Sequence, residues 1–205
     1  MKAAAAPAKA QHAPERRPFR WEAVTAISTL LLALTTFGAL LYTARQIKDF
    51  REAERVHNEA ERVHQLVEQR RWFDSSGFIK VRKKLAGKRL DKHSKTVLPL
   101  NAAAAPGELY EIMNYFEELG LLEEKGYLDA QDIWDELSYW AFNIYYDAKP
   151  AIDHDRQDDP SFFLHFEKLV GKLQQIEKQR TGRENQPTGP ELLEFYQYEN
   201  SLTAR

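Results

Sequence analysis

Four groups of residues in this sequence have the side-chain types that acid–base, metal or anion chemistry requires. His57 and His64 are seven apart, so on a helix they share a face about two turns and 10.5 Å apart. Two ligands of one metal need i,i+4 spacing on a helix. One chain therefore cannot close a metal site with this pair, and the plain reading is two solvated helix histidines. Asp153-His154-Asp155 has the letters of a metal triad and stands beside Asp158 and Asp159. No second His or Glu pattern converges on it, which favours an acidic turn. Asn114, Glu117 and Glu118 are the polar residues of a mostly apolar helix, and Asp132 follows on the next one. A carboxylate at the edge of a buried face is a candidate functional group. Glu117 is also a candidate structural partner for Arg82, which needs an opposite charge if the fold covers it, and the sequence favours that role. Last, Lys80 to Lys95 holds eight basic residues and one acid, Asp91. It lacks the interleaved aromatics of a base-stacking surface. Anionic lipid, or a solvated loop, fits it better than nucleic acid.

Other chemistry is excluded by composition. There are no cysteines, hence no disulfides, no iron–sulfur cluster, no Cys-based zinc site and no thiol nucleophile. There is no Gly-rich phosphate loop, no Gly-x-Ser-x-Gly elbow, and no nucleophile with a base and an orienting group. No cofactor is expected. The net charge of −2 conceals an asymmetry: 20 basic and 10 acidic residues up to position 105, then 9 basic and 21 acidic.

The elements that must position these residues begin with an apolar run. Ala23 to Ala44 carries no charge, and as a helix it would be about 33 Å long, enough to cross a ~30 Å hydrocarbon core. Its Thr and Ser hydroxyls can bond back to helix carbonyls. Trp21 and Tyr42 bracket it at interface positions, with Arg16, Arg17 and Arg20 before and Arg45, Lys48 and Arg51 after. A cleaved signal peptide would have a shorter apolar core and a small-residue cleavage site, and neither is present. The expectation is a single-pass anchor over residues 21–44, preceded by a disordered Ala/Pro-rich tail, residues 1–20. Lys and Arg near the two ends balance, and the basic run 80–95 tips the C-terminal part toward the cytoplasm.

Past the membrane the helix continues as a charged stalk over residues 45–74, without Gly or Pro. Glu52-Ala-Glu-Arg-Val-His57 recurs as Glu59-Ala-Glu-Arg-Val-His64. With this seven-residue period, Ala53, Val56, Ala60, Val63 and Val67 form the a/d seam of a coiled coil about two heptads long. The seam fits a parallel homodimer through membrane helix and stalk, or it lies on the body of the same chain. The small residues Thr35, Ala39 and Thr43 would support the dimer within the membrane. In such a dimer His57 and His64 approach their symmetry mates, and protonation would make association pH-sensitive.

The body, residues 75–180, reads as a small all-α bundle. Its helices are a short one with Phe78, Val81 and Leu85, a second over Glu108–Glu124 closed by Gly126, and a third from an Asp129 cap to about Asp147, stopped by Pro150. A fourth opens at Asp159-Pro160 and carries Phe163 to Ile176. Residues 181–205 read as a loosely ordered tail with a helix from Pro190 to Glu199.

Tyr110-Glu-Ile-Met-Asn-Tyr-Phe-Glu-Glu-Leu-Gly120, then Lys125-Gly-Tyr-Leu-Asp129 and Ile133-Trp134, resembles a bacterial membrane-anchored helical family catalogued as domain of unknown function 4760. Phe78-Ile-Lys-Val-Arg82 fits that family's "Phe-x-x-x-Arg" element, and Phe166-Glu167-x-Leu169 fits its closing helix. The resemblance covers roughly residues 25–178 and implies the architecture, not an activity. The reading is a membrane-tethered, non-enzymatic interaction or regulatory domain with an unidentified protein partner. The alternatives are a membrane-bound enzyme whose carboxylates Glu117, Glu118 and Asp132 converge, or a phage-defence-type effector using those carboxylates or the basic run.

Overall fold

A computed structural model describes residues 21–203, so the tail predicted over 1–20 lies outside the described residues. Among the described residues the chain forms six α-helices, one 3-10 turn and no strand beyond an isolated bridge between Leu90 and Val97. The helices are α1 (Trp21–Phe73), α2 (Ser76–Arg89), α3 (Gly107–Glu124), α4 (Ala130–Asp155), α5 (Leu164–Thr181) and α6 (Gly189–Ser201). Two compact units result, one through Arg55 and one from Val56 onward.

The first unit is the apolar part of α1. It contains a segment long and apolar enough to cross a membrane, with a mean hydropathy of 2.0 and none of it buried. Leu30, Leu32, Phe37 and Leu40 are each more than 60% exposed. Ser28, Thr29, Thr35, Thr36 and Thr43 each donate to a carbonyl one turn back. That leaves no hydroxyl among these five presenting an unmet donor to lipid.

In the second unit the end of α1 meets the body through one face only. Leu66 packs against the core, Phe73 is fully buried, and Arg70 Nη1 donates to the Glu136 carbonyl at 2.6 Å. The heptad seam is on another face: Val56, Val63 and Val67 are 56%, 56% and 48% exposed. Of the two sequence expectations for the seam, packing on the chain's own body is thereby removed.

Within the body, α2 packs on α3 and α6, α3 on α4 and α5, and α4 on α5 and α6. The core is largely aromatic. Phe73 meets Phe78, Tyr115, Phe116 and the edge of Trp140 with ring centroids 5.1–6.1 Å apart. Phe116 stacks on Phe166 at 5.0 Å. Leu119, Leu137, Ile144, Leu169 and Leu173, on the apolar faces of α3, α4 and α5, are buried around these rings. Trp140 is only half-buried, and its indole N–H points inward to a buried carboxylate of α6. The turn between α3 and α4 follows the sequence. Gly126 takes φ +78°, Gly126 N–H bonds Glu123 O, and Tyr127 N–H bonds Leu122 O, a Schellman closure. Asp129 then caps α4 through Gln131 N–H at 2.7 Å.

Three elements differ from the sequence expectation. α4 does not stop at Pro150 but continues to Asp155. Proline removes one backbone donor from the ladder, and burial of Ala148, Ala151 and Ile152 on both sides of it offsets that loss. Asp159-Pro160 opens a turn, not the helix: Asp159 accepts from Ser161 N–H, and α5 starts four residues after Pro160. Phe163, just before α5, has φ 51°, a left-handed conformation that costs an L-residue roughly 1–2 kcal/mol. Arg156 holds it there, donating to the carbonyls of Phe162 and Phe163 at 2.8 and 3.2 Å. Finally, the described part of the predicted tail, residues 181–203, is not loose. A Thr188–Glu191 capping box opens α6, and Phe195, Tyr196 and Glu199 are buried.

Candidate functional site

The positions singled out in the sequence serve different ends. Arg82 lies on the same face of α2 as Phe78, Leu85, Ala86 and Arg89, a 3.6-residue stripe that is buried throughout. Its partner is not Glu117 but Glu199, from α6. Arg82 Nε donates to Glu199 Oε2 at 2.7 Å, and the two side chains are 4% and 2% exposed. Arg82 Nη1 donates to the Phe73 carbonyl at 3.1 Å, and its guanidinium lies 4.2 Å from the Phe73 ring centre. Trp140 Nε1 donates to the other Glu199 oxygen at 2.8 Å. The carboxylate and guanidinium are thus both hydrogen-bonded, the condition under which a buried pair is tolerated.

One helical repeat further along α2, Arg89 makes a second buried pair. Its Nε and Nη2 reach the two oxygens of Asp147 at 2.9 and 2.6 Å, a bidentate fork. Tyr196 donates its hydroxyl to Asp147 Oδ2 at 2.5 Å. Burial works against the charge of Arg89, but the hydrogen bonds and charge of Asp147 outweigh it and raise the Arg89 pKa above its ordinary value. Burial first, and then the charge of Asp147, push the Tyr196 hydroxyl well above the ordinary phenol range. Arg89 and Tyr196 therefore keep their protons at neutral pH and are unsuited to acid–base exchange. The cavity between the two pairs, lined by Phe73, Arg82, Ile144, Tyr196 and Glu199 among others, measures about 10 Å³. That is the room of a single water, not of a substrate.

Glu117 acts on another helix end. Its two carboxylate oxygens accept from His165 N–H at 3.2 Å and Phe166 N–H at 2.7 Å, the first donors of α5. Phe163, the residue at the α5 N-cap, cannot cap with its own side chain, so Glu117 supplies the acceptor from α3. One turn later Gly120 faces the same segment. A Cβ there would sit 2.3 Å from the His165 carbonyl oxygen, so only glycine permits this approach. Phe116, Glu117 and Gly120 together seat α5: a ring to stack on, an acceptor to cap with, and a gap to close into. Glu167 on α5 accepts in turn from Arg156 and Tyr145.

The remaining candidates are dispersed. Asn114 and Glu118 are exposed on α3. Asp132 is half-buried in the first turn of α4, and its carboxyl is raised above its ordinary pKa by desolvation, then by the charges of Asp129 and Asp135, against the opposing charge of Arg62. Asp153, His154 and Asp155 lie in the last turn of α4, not in a separate loop. Asp155 accepts from Tyr110 at 2.7 Å, and Asp153 pairs with Lys149. Among the described residues no three His, Asp or Glu side chains are grouped to hold a metal ion. The basic run divides into two faces. Arg82 and Arg89 point inward, while Lys80, Lys84, Lys92 and Lys95 are exposed and make no side-chain hydrogen bond or ion pair among the described residues. Sequence reasoning missed Arg89, Asp147, Tyr196 and Glu199. The available signal was the apolar spacing of Phe78, Arg82, Leu85 and Arg89, which puts two arginines in a buried stripe.

The family model for the domain of unknown function DUF4760 matches residues 23–173. The matched span contains Arg82, Arg89, Glu117, Gly120 and Asp147 and ends before α6. No curated protein and no solved structure matches the chain.

Proposed function

The chain belongs to the DUF4760 family, and we propose that it is a membrane-tethered, non-enzymatic helical module for protein interaction or regulation. The observation that carries this reading is the apolar first half of α1, whose large side chains are exposed over more than five turns. A protein surface of that size and apolarity requires lipid or a partner to cover it. The bundle supports the non-enzymatic half of the reading: its two buried arginine–carboxylate pairs are consumed in joining helices, and its candidate carboxylates are dispersed. The segment after Ala44 lies on the cytoplasmic side of a bacterial inner membrane, on the strength of the lysines between 80 and 95. The exposed a/d seam of α1 is the surface for a second, parallel copy, and the bundle then presents paired surfaces to an unidentified protein partner.

Alkaline carbonate washing tests the anchor. The full chain stays with the membranes, and Leu31→Arg with Leu34→Arg releases it, since each central arginine costs roughly 2.5–3.5 kcal/mol on insertion scales. Release of the unaltered chain by carbonate would sink the reading. A detergent-solubilised pull-down in which a small-molecule turnover, not a protein, follows the chain would overturn the non-enzymatic assignment.

A further inference from the structure

The α1 seam has flanking positions of a particular chemistry. With Val56 and Val63 at d and Ala60 and Val67 at a, Glu52 and Glu59 occupy g positions and His57 and His64 occupy e positions. In a parallel two-stranded coil, a g residue lies beside the e residue that follows it in the partner strand. Glu59 of one copy therefore meets His64 of the other, and Glu52 meets His57 one heptad earlier. We propose that a second copy of this chain covers the Val56–Val67 seam, and that the interstrand Glu–His pairs make this association stronger in mild acid. The proposal rests on the self-association reading above and assigns its regulation.

The charge pattern selects the parallel arrangement. In an antiparallel pair, g meets g and e meets e, so Glu would face Glu and protonated His would face His. A membrane-inserted α1 can only present its copies in parallel. The earlier expectation that the histidines confront their symmetry mates fails on the same geometry, because the two e positions flank opposite sides of the seam. His57 and His64 are exposed and make no hydrogen bond or ion pair among the described residues, so their rings face solvent. On their own helix they face Glu54, Glu61 and Glu68 at i−3 and i+4. These carboxylates are beside them in monomer and dimer alike and favour neither. Only Glu52 and Glu59 of the second copy are gained on association. The sign follows: a histidine that gains a carboxylate holds its proton more tightly in the dimer. Association is strengthened below the ordinary imidazole range of about 6.5 and weakened as pH rises through and above it.

The test uses the full chain in zwitterionic liposomes, with energy transfer between donor- and acceptor-labelled copies at pH 7.5 and 5.5. Both values lie above the ordinary carboxylate range of about 4. Four exposed pairs, each contributing about a factor of two, make association about sixteenfold tighter at pH 5.5. His57→Gln with His64→Gln should remove the pH difference. His57→Lys with His64→Lys should hold the tight state at both pH values, and adding Glu52→Gln and Glu59→Gln should undo that. Equal transfer at both pH values in the unaltered chain would overturn the histidine pairing while leaving self-association standing. Weaker transfer in acid would mean the histidines face each other and would overturn it too. No transfer from the lysine variant at either pH would remove the seam as a dimer surface altogether.

Discussion

α5 and α6 both complete the bundle, and they are held by opposite means. α5 is seated on α3 by a stacked ring, a carboxylate over its first backbone donors, and a glycine that lets the chains touch. Each contact is short in range and can weaken without leaving a charge stranded. α6 is seated on α2 and α4 by Glu199 and Tyr196, which complete two buried arginine–carboxylate pairs. There the charges of Arg82 and Arg89 lie on α2, and α6 or α4 must answer them. The difference teaches how each contact should fail: α5 by degrees, α6 all at once, because a buried charge without its partner costs more than the pair contributes.

The largest effect expected is therefore at Glu199. Truncation to Ala leaves Arg82, already 4% exposed, with only a longer 3.7 Å ion pair to the half-exposed Asp74, and orphans Trp140 Nε1 as well. Urea unfolding of the full chain in detergent, followed by tryptophan fluorescence, should show a loss of about 3–5 kcal/mol. That is a large part of the stability of an ordinary domain, about 5–15 kcal/mol. The double change Arg82→Met with Glu199→Leu should restore most of it, since similar-volume apolar pairs are often neutral in such positions. A double variant as unstable as the single would show that the pair contributes more than satisfied burial.

At the α5 contact the expected losses are smaller. Gly120→Ala places a methyl against the His165 carbonyl, which must shift, and about 1–3 kcal/mol should be lost. Glu117→Ala removes the acceptor of two α5 donors and should cost about 1 kcal/mol, the usual value of an N-cap. Glu118→Ala and Asn114→Ala, exposed on the same helix, should stay within about 0.5 kcal/mol. If Glu118 and Glu117 proved equally costly, the capping account of Glu117 would be wrong.

The same contrast explains what could be read from the sequence. The α3–α5 device is local in its signals: a 3.6-residue apolar period, Glu and Gly one turn apart, a glycine closing α3 and an aspartate opening α4. Those signals locate the helices and place Phe116, Leu119, Phe166 and Leu169 in the core. The α2–α6 device is not local. Arg82 and Glu199 are 117 residues apart, and no spacing rule links them. Arg82 is legible as a residue in need of a partner, and Glu117 as a carboxylate at the edge of a buried face; tertiary placement supplies Glu199 instead. α6 itself carried a signal in Thr188-x-x-Glu191 ahead of Leu192, Leu193, Phe195 and Tyr196, a capping box before an apolar stripe. Pro150 misled in the other direction, since its cost to a helix is real but smaller than the burial of the residues around it.

Asp132 gives the smallest and most discriminating test, because it is a candidate whose pKa moves in the direction opposite to a structural ion pair. Desolvation comes first, then Asp129 and Asp135, and together they outweigh Arg62 and raise its carboxyl above the ordinary aspartate value. A raised folded-state pKa means that the fold prefers the protonated form. Below the unfolded pKa, near 3.9, both states are protonated and Asp132 adds no penalty. As pH rises through that value and up to the raised one, the folded chain must give up a proton it holds more tightly, and a destabilising contribution develops that persists at neutral pH. Asp132→Asn should therefore raise stability slightly at pH 7, by about 0.5 kcal/mol or less at this partly exposed position, and leave it unchanged near pH 3. The paired variant Asp147→Asn should do the reverse at pH 7, because it takes the negative charge from the fork around Arg89. Measuring both in the same urea series separates a carboxylate the fold uses from one it merely tolerates. If Asp132→Asn instead lowered stability at pH 7, Asp132 would join Glu199 and Asp147 among the carboxylates that hold the bundle together.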